Sequence, residues 1–525
     1  MTRSTPRRAL ESAARAIGSA GATRVAVDHR RLARWYLGFA LAFGLWGGFD
    51  ALLLRTALVT SWQDLVSAET YNALFTTHGL TMLFLFALPA IWGVAYAAVP
   101  PLIEAEGTAF PALGTAAFWS QVPAALAIRA GTLGGILGVA GLEPVATGWT
   151  LYPPLSALSR NPAVDALLVG LLLVAVGSAA TAANLAATIL WRRDVRWRDV
   201  DTFTWTVLTS AAMTVVAFPV LAFAATLLLA DRTIGTTYFV AGGGPTSWQQ
   251  VFWFFAHPLV YVLVLPPMGI VSHVLPRFAG RRLFGWRSSV YSTLAIGVLS
   301  FTVWGHHLFV AATGPSVRVV FMVVTLAIAL PSSAKCCTWL ATLWGGAIRH
   351  TAPMLACLAA VGFFVVGGVT GVLLAVVPIN VRYNGTYYVV AHFHLLLAGF
   401  VALALVAGGY YWAPLLTGRR LEPGLARLHV RLTIVGVAVT FGALLLVGLA
   451  GLPRRIATYP ATYAPLQQLA TVGAYVIAGG QLVFLWNLAR SLRAGEPASA
   501  PADPWDLADG PSHAREWDTA AESTE

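Results

Sequence analysis

The sequence predicts an all-α polytopic membrane protein with about twelve transmembrane helices. Of its 525 residues, 58% are hydrophobic and only 10% are charged, and the mean hydropathy is +0.72. A soluble domain of this size does not have such a composition. The chain also divides into apolar segments that are each long enough to cross a bilayer as a helix.

We count twelve such segments, which define the central domain at 34–490. They are 34–59, 74–101, 114–141, 163–191, 203–230, 248–275, 289–312, 317–345, 352–378, 386–413, 429–450 and 467–489. The basic segment 1–33 before them has no short apolar core with a cleavage site, so we interpret it as a retained cytoplasmic tail. The polar segment 491–525, rich in Ala, Pro, Asp and Glu, is predicted to be an extended second tail.

The arginines predict the orientation in the membrane. They concentrate before the first span, at 192–198, at 277–287 and at Arg419 and Arg420, all on the side of both termini. The positive-inside bias makes that side cytoplasmic, in a prokaryotic plasma membrane. The net charge of +11 is therefore explained by topology and predicts no nucleic-acid partner.

Three histidines lie in two consecutive apolar segments. His257 belongs to VFWFFAHPLVYVLVLPP, and His306 and His307 belong to STLAIGVLSFTVWGHHLFV. Ionisable side chains at membrane depth are costly and usually mark a site. Neutral imidazole is a common copper ligand, so the three predict a copper site, although histidines bonded to neighbouring helices are the simpler alternative. Tyr261 follows His257 by four residues, one turn along the same helix face.

Three more histidines in apolar segments predict two hemes. His392 and His394, in TYYVVAHFH, point to nearly opposite helix faces and cannot serve one metal together. His394 and His78 would ligate a six-coordinate heme, and His392 a five-coordinate heme that faces the copper. Two hemes and one copper would then account for all six histidines at membrane depth.

Other residues indicate accessory roles. Lys335 is the only lysine among 33 basic residues, which suggests a group that can lose its proton when buried. Arg454 and Arg455 adjoin in an outer loop, where they could hold carboxylates such as heme propionates. The outer loop TGWTLYPPL contains Trp149 and alone suggests an interfacial cap. Arg55 ends the first span near the membrane interface, where an arginine that extends its charged end to the surface is the simple interpretation.

With these motifs in place, the sequence closely resembles subunit I of the heme-copper oxidases from about Trp35 to Trp486. The motifs HPLVY, WGHH, VVAHFH, TGWTLYPPL and LPRRIATYP occur in family order. The resemblance implies the ligand assignments given above and a Tyr261 bonded covalently to His257. It also implies heme-edge contacts from Trp149, Arg454 and Arg455. Arg55 matches an arginine that contacts a type-a heme, so the six-coordinate heme is expected to be heme a.

The resemblance also implies how protons move. The K-channel positions keep their polar groups at Ser272, Lys335 and Ser332, with Tyr261 at the top. The family's D-channel residues and its usual magnesium pair are replaced. The replaced positions are Leu259 for the glutamate, Gly107 for the entry aspartate, Gly114 and Thr115 for the asparagines, and Asn384 and Gly385 for the magnesium ligands.

We therefore predict the catalytic subunit of a respiratory terminal oxidase that reduces O₂ to water. We also expect it to pump protons through the K-type path. Since the sequence has no Cys-rich dinuclear copper motif, electrons should enter through a subunit II-type partner, from cytochrome c or a copper protein. Two alternatives remain. A nitric oxide reductase would need added carboxylates near the second metal, which Leu259 and Tyr261 oppose. A proton-coupled transporter would explain Lys335 but not the opposed His392 and His394.

Overall fold

The protein was analysed as a computed structural model. The structure describes residues 26–62, 65–311, 313–494, 504–507 and 516–517. Most of the two predicted tails, 1–33 and 491–525, lies outside the described residues. In the part that is described, the chain is all-α, as the sequence predicts, and Thr386 and Pro453 form an isolated bridge.

Among the described residues, thirteen helices of eight residues or more build the membrane domain and are numbered here in chain order. They are α1 His29–Ala57, α2 Ala68–Leu102, α3 Pro111–Ile128, α4 Ala130–Leu137, α5 Ala163–Trp191, α6 Thr202–Thr233, α7 Gly244–Phe278, α8 Trp286–Leu299, α9 Pro315–Leu343, α10 Ala352–Ala375, α11 Tyr387–Thr417, α12 Pro423–Leu449 and α13 Ala461–Ala494.

Ten helices of the described residues are long and apolar enough to cross a membrane. They match ten of the twelve predicted spans to within a few residues. The third predicted span is divided at Arg129 into α3 and α4, and the buried Arg129 pairs with Asp50 of α1. The seventh ends early as a helix, because α8 stops at Leu299. The count of twelve spans is therefore not confirmed as twelve long helices.

The interruption of the seventh span positions two of the site histidines. After α8, the chain continues without regular helix to a short 3₁₀ turn at Trp304–Leu308. His306 and His307 thus lie on a tight turn beside α7, and not on the face of a long helix as the apolar pattern alone suggested. Helix α9 then begins with Pro at its first position, where the missing N–H costs nothing.

Helices α2 and α7 form the buried centre of the bundle, while α9 is the least covered span. Consecutive helices pack as neighbours, most extensively α12 with α13 and α6 with both α5 and α7. Two π-helical stretches interrupt the central helices, at Thr81–Ala87 in α2 and Leu395–Val401 in α11. Such stretches frequently occur at functional sites. Each one here begins within three residues of a histidine, His78 or His394.

Candidate active site

Three histidine nitrogens converge where α7 meets the turn after α8. Nδ1 of His257 lies 3.1 Å from Nε2 of His307, and that atom lies 3.2 Å from Nε2 of His306. All three ligand atoms lie within 4.8 Å of one another. Three nitrogens about 2.0 Å from one metal in a trigonal arrangement stand about 3.5 Å apart. The spacing therefore fits a single copper-sized ion.

Neighbouring groups fix the orientation of these rings. Thr325 of α9 donates its hydroxyl to the Phe321 carbonyl, so its oxygen is left to accept from Nδ1–H of His306, 3.1 Å away. That hydrogen bond leaves the lone pair on Nε2, where a metal would bind. The ring of His307 stacks on Trp253, with centroids 3.6 Å apart. This packing holds the second ring of the turn.

The ring of His257 lies beside that of Tyr261. Its Nε2 is buried and has no hydrogen-bond partner, and its ring centroid lies 4.9 Å from that of Tyr261. A buried nitrogen without a partner costs on the order of 1–3 kcal/mol. The site therefore has the geometry for a further interaction between these two side chains.

Two partners on α10 orient the ring of His392, which belongs to α11. Its Nδ1 lies 3.0 Å from the Gly367 carbonyl and 3.0 Å from the Thr370 hydroxyl, both on α10. Since Thr370 donates its own proton to Gly367, the His392 Nδ1–H donates and Nε2 stays available. A Cβ at Gly371 would meet the ring at 2.6 Å, so glycine is required for this close approach.

His78 of α2 and His394 of α11 form a pair suited to one six-coordinate iron. Nδ1 of His78 donates to the Gly47 carbonyl at 2.8 Å, and Nδ1 of His394 to the Val390 carbonyl at 2.9 Å. Both Nε2 atoms are thus free to ligate. The ring centroids are 6.2 Å apart with planes 10° from parallel. Two imidazoles bound to one iron through nitrogens at about 2.0 Å would place their centroids about 6.2 Å apart.

One large cavity connects these histidines. It has a volume of about 2120 Å³, and His78, His257, His306, His307, His392 and His394 all line it. Ordinary small-molecule pockets occupy roughly 300–1,000 Å³, so this space has room for two macrocycles. Trp149 lines one end of this cavity and stands edge-on to Phe252 and Trp253.

Two arginines close the same end of the cavity. Arg454 and Arg455 both line it, and Arg455 adopts a positive φ of 64°. Burial and the neighbouring charge of Arg455 lower the pKa of Arg454 to about 10, which still leaves it charged at neutral pH. No carboxylate of the described residues forms an ion pair with either. Adjacent buried cations without an anion fit a ligand that brings carboxylates.

Arg55 lies inside the bundle and not at the surface. Only 8% of it is exposed, and its Nη2 donates to the carbonyl and side chain of Gln467 at 2.7 and 2.8 Å. Its Nε is buried without a hydrogen-bond partner. Because Arg55 also lines the cavity, the geometry favours a ligand contact over snorkelling.

Lys335 of α9 is fully buried, and its partners were not foreseen from the sequence. Its amine donates to the hydroxyls of Ser289 at 2.8 Å and Thr293 at 2.6 Å. These two residues are four apart on α8 and therefore share one face. No acidic side chain forms an ion pair with Lys335 among the described residues. The amine is thus held by neutral hydroxyls, where its charged form gains no counter-ion.

Ser332 lies on the same helix as Lys335, and Ser272 contacts that helix through Trp339. The Ser272 hydroxyl donates to the Met268 carbonyl and accepts from Trp339 Nε1 at 2.8 Å. Ser332 bonds to the Ile328 carbonyl, and both it and Tyr261 line the large cavity. The residues that sequence reasoning missed are all hydroxyl, indole or carbonyl partners: Ser289, Thr293, Thr325, Trp339, Gly47, Gly367 and Thr370.

One of the replaced D-channel positions, Gly114, is tightly packed. A Cβ added at Gly114 would meet Asn184 Nδ2 at 2.8 Å and the Tyr96 hydroxyl at 3.1 Å. Thr115 donates to the Pro111 carbonyl, and Leu259 is buried. The space that paired asparagines would need at Gly114 is therefore already occupied.

Comparisons with known proteins agree on one family. A family model described as "Cytochrome C and Quinol oxidase polypeptide I" matches residues 31–476. The "Cytochrome c oxidase polypeptide 1" of Halobacterium salinarum is 47% identical over 494 residues, which cover 94% of this chain and 82% of the relative. The "Cytochrome c oxidase subunit 1" of Synechocystis sp. is 40% identical over 485 residues, covering 91% and 86%.

A solved structure shares the fold. It is described as a heme-copper terminal oxidase dimer, and one of its chains matches with a TM-score of 0.77 over 94% of this chain and 90% of that one. At 19% sequence identity, this likeness concerns the arrangement of helices alone.

Proposed function

This chain belongs to the cytochrome c and quinol oxidase polypeptide I family, as the catalytic subunit of a heme-copper terminal oxidase, and from that premise we propose how its residues reduce O₂ to water. The single observation that carries the proposal is the pair of metal-type histidine arrangements on one cavity. One is the triangle of His257, His306 and His307. The other is the parallel pair of His78 and His394.

In this proposal the triangle holds one copper ion, and His392 holds the iron of a five-coordinate heme. His78 and His394 hold the iron of a second heme, which Arg55 marks as type a. Arg454, Arg455 and Trp149 support the propionate edges of the hemes. When bound, the iron and copper of the open site supply electrons to O₂ together.

Tyr261 supplies a proton and an electron from the chain itself. Its phenol lies next to His257, whose Nε2 has no other partner, and a covalent bond between the two rings would lock the phenol beside the site. Tyr261 and Leu259 also argue against the nitric oxide reductase alternative, because no carboxylate from the described part of the chain belongs to the histidine triangle.

Protons reach this site through Ser272, Lys335, Ser332 and Tyr261. Oxygen reduction adds negative charge to a low-dielectric site, so each electron must be followed by a proton. Lys335 can serve because it is fully buried and its amine donates to the Ser289 and Thr293 hydroxyls. Hydroxyl partners accept from the charged amine and also tolerate the neutral one. The filled space at Gly114 favours this path as the only one, for consumed and pumped protons alike.

Electrons would enter through a subunit II-type partner that receives them from cytochrome c or a copper protein. The bilayer surrounds the ten long apolar helices, with both chain ends on its cytoplasmic side. The arginine distribution supports this orientation, as set out for the sequence.

The test is a reduced-minus-oxidised spectrum of the purified protein, with pyridine extraction of the hemes and metal analysis. We expect two hemes and one copper per chain, with only one heme able to bind carbon monoxide. A colourless protein, or one with a second iron in place of copper, would contradict the assignment.

A further inference from the structure

A buried charged cluster joins the C-terminal segment to the end of α7, away from the histidine site. His273 has no exposed surface and lies between two carboxylates. Its Nε2 is 2.6 Å from Oε1 of Glu516, and its Nδ1 is at an ion-pair distance of 3.0 Å from Oδ2 of Asp201. Asp201 caps the start of α6, where its other oxygen accepts from the Phe203 N–H. Glu516 comes from the C-terminal segment and is itself fully buried.

The charges around His273 balance only with Glu516 in place. The groups that face the cluster are Asp201 of α6, Glu516, Arg277 of α7 and the Tyr411 hydroxyl of α11, which donates to Glu516 at 3.1 Å. Burial alone would raise the pKa of Asp201, but the charges of His273 and Arg277 lower it to about 2. The same balance applies to Glu516. Burial opposes its ionisation, but the charges of His273 and Arg277 lower its pKa. Two carboxylates therefore offset one imidazolium and one guanidinium.

The C-terminal segment is docked by specific contacts. Trp517 donates its indole N–H to the Tyr411 hydroxyl at 3.1 Å, and Trp505 donates to the Tyr411 carbonyl at 3.0 Å. Arg349 donates to the carbonyl of Trp505 at 2.9 Å. Trp505 and Trp517 are both buried, at 8% and 2% exposure. These bonds hold the segment so that Glu516 reaches His273.

The cluster adjoins the start of the Lys335 path. Asp201 and Ser272 line the same cavity of about 140 Å³, together with Arg277 and Trp286. A cavity of that volume with the side chains of Asp201, Arg277 and Ser272 in its wall has room and hydrogen-bond partners for water. Beyond Ser272 the next polar contact is Trp339, on the same helix as Lys335 and one turn from it. The cavity therefore connects Asp201 with Ser272, whose hydrogen-bond partner Trp339 lies one turn from the lysine.

We propose that the C-terminal segment completes the proton inlet of this path, with Glu516 as a positioning residue that keeps His273 charged and fixed against Asp201. The inference rests on the proposed function of the Lys335 path. The charged ring holds the Asp201 carboxylate ionised at the wall of the cavity, and protons from the medium pass this anion through cavity water toward Ser272. Glu516 acts by stabilising the charged ring and does not itself touch the reacting oxygen.

The test compares the pH dependence of oxygen consumption in the whole assembled oxidase. In Glu516→Gln, the anion beside His273 is lost, so the ring gives up its proton more easily. We expect near-normal rates at low pH and a descending limb moved down by about one pH unit or more. Glu516→Asp should restore part of that shift. Trp517→Phe is the matched control, because it removes one docking bond to Tyr411 and keeps the charge.

Three outcomes would overturn the inference. One is a pH profile of Glu516→Gln that matches the parent enzyme while Lys335→Met is inactive, which leaves the proposed path intact. Another is a shift in Trp517→Phe as large as that in Glu516→Gln, since docking alone would then explain the effect. The third is an active Lys335→Met enzyme, which rejects the path itself. Heme content and the six-coordinate spectrum, measured in each variant, establish that it has assembled.

Discussion

Replacement of Lys335 by methionine tests the proton path most directly. The substitution removes two hydrogen bonds, to Ser289 and Thr293, each with a net contribution of about 1 kcal/mol. It also removes a buried amine, whose burial costs about 1–3 kcal/mol in proteins. Methionine is similar in length and flexible enough to fill the space. These effects nearly cancel, so the free energy of unfolding should change by no more than about 2 kcal/mol and both hemes should be retained.

Activity should respond far more than stability. Loss of a positioned proton-transfer group typically lowers a rate by about 10²–10⁴-fold, and steady-state oxygen consumption should fall accordingly. Lys335→Arg is the informative control, because arginine keeps the charge but does not release its proton. We expect Lys335→Arg to be as inactive as Lys335→Met. Oxygen-electrode rates and heme spectra are measured on the same preparations. Near-normal consumption in Lys335→Met would refute the path, and a fully active Lys335→Arg would show that charge alone matters.

Three further predictions concern the metals and the second path. His306→Ala or His307→Ala should abolish oxygen reduction and lower copper content, while the six-coordinate heme spectrum stays nearly intact; full copper and turnover in either variant would contradict the triangle. His394→Ala or His78→Ala should remove the six-coordinate signal, whereas His392→Ala should remove carbon monoxide binding. Identical spectra from His392→Ala and His394→Ala would reject their separate roles. Gly107→Asp should leave oxygen consumption within about twofold of the parent, because the space at Gly114 is filled; a large gain would reveal a working second path.

The sequence predicted the helices well where hydrophobicity alone decides them. Ten apolar segments became long helices, because a lipid environment leaves the backbone no other way to pair its polar groups. The prediction was least accurate at 289–312. There the hydropathy pattern is continuous, but the helix ends at Leu299. Non-helical backbone at membrane depth is tolerated only where protein buries it, and that burial is a property of the packed bundle.

The site was predictable in its ionisable residues and not in their partners. A histidine or lysine in an apolar segment is conspicuous because its burial is expensive. The hydroxyls that hold them are not conspicuous, since Ser and Thr in such helices usually bond their own backbone, as Thr293 also does to the Ser289 carbonyl. Only the packing of α8 against α9 reveals that Ser289 and Thr293 face Lys335. Likewise, the composition of 491–525 indicated an extended tail and gave no sign that Glu516 and Trp517 are buried.

The environments of Lys335 and His273 follow from one physical requirement. A buried ionisable group persists only where neighbours offset its desolvation, and the bundle meets that condition differently at two depths. Lys335 has hydroxyl partners and, within the described ranges, no counter-ion, an environment in which loss of its proton is inexpensive. His273 has a carboxylate at each nitrogen, an environment in which its proton is retained. In our proposal, a charged cluster at the inlet and a lysine that can release its proton further along the path give proton transfer its direction. Because Glu516 keeps that inlet charged, the C-terminal segment would belong to the proton path together with the helices.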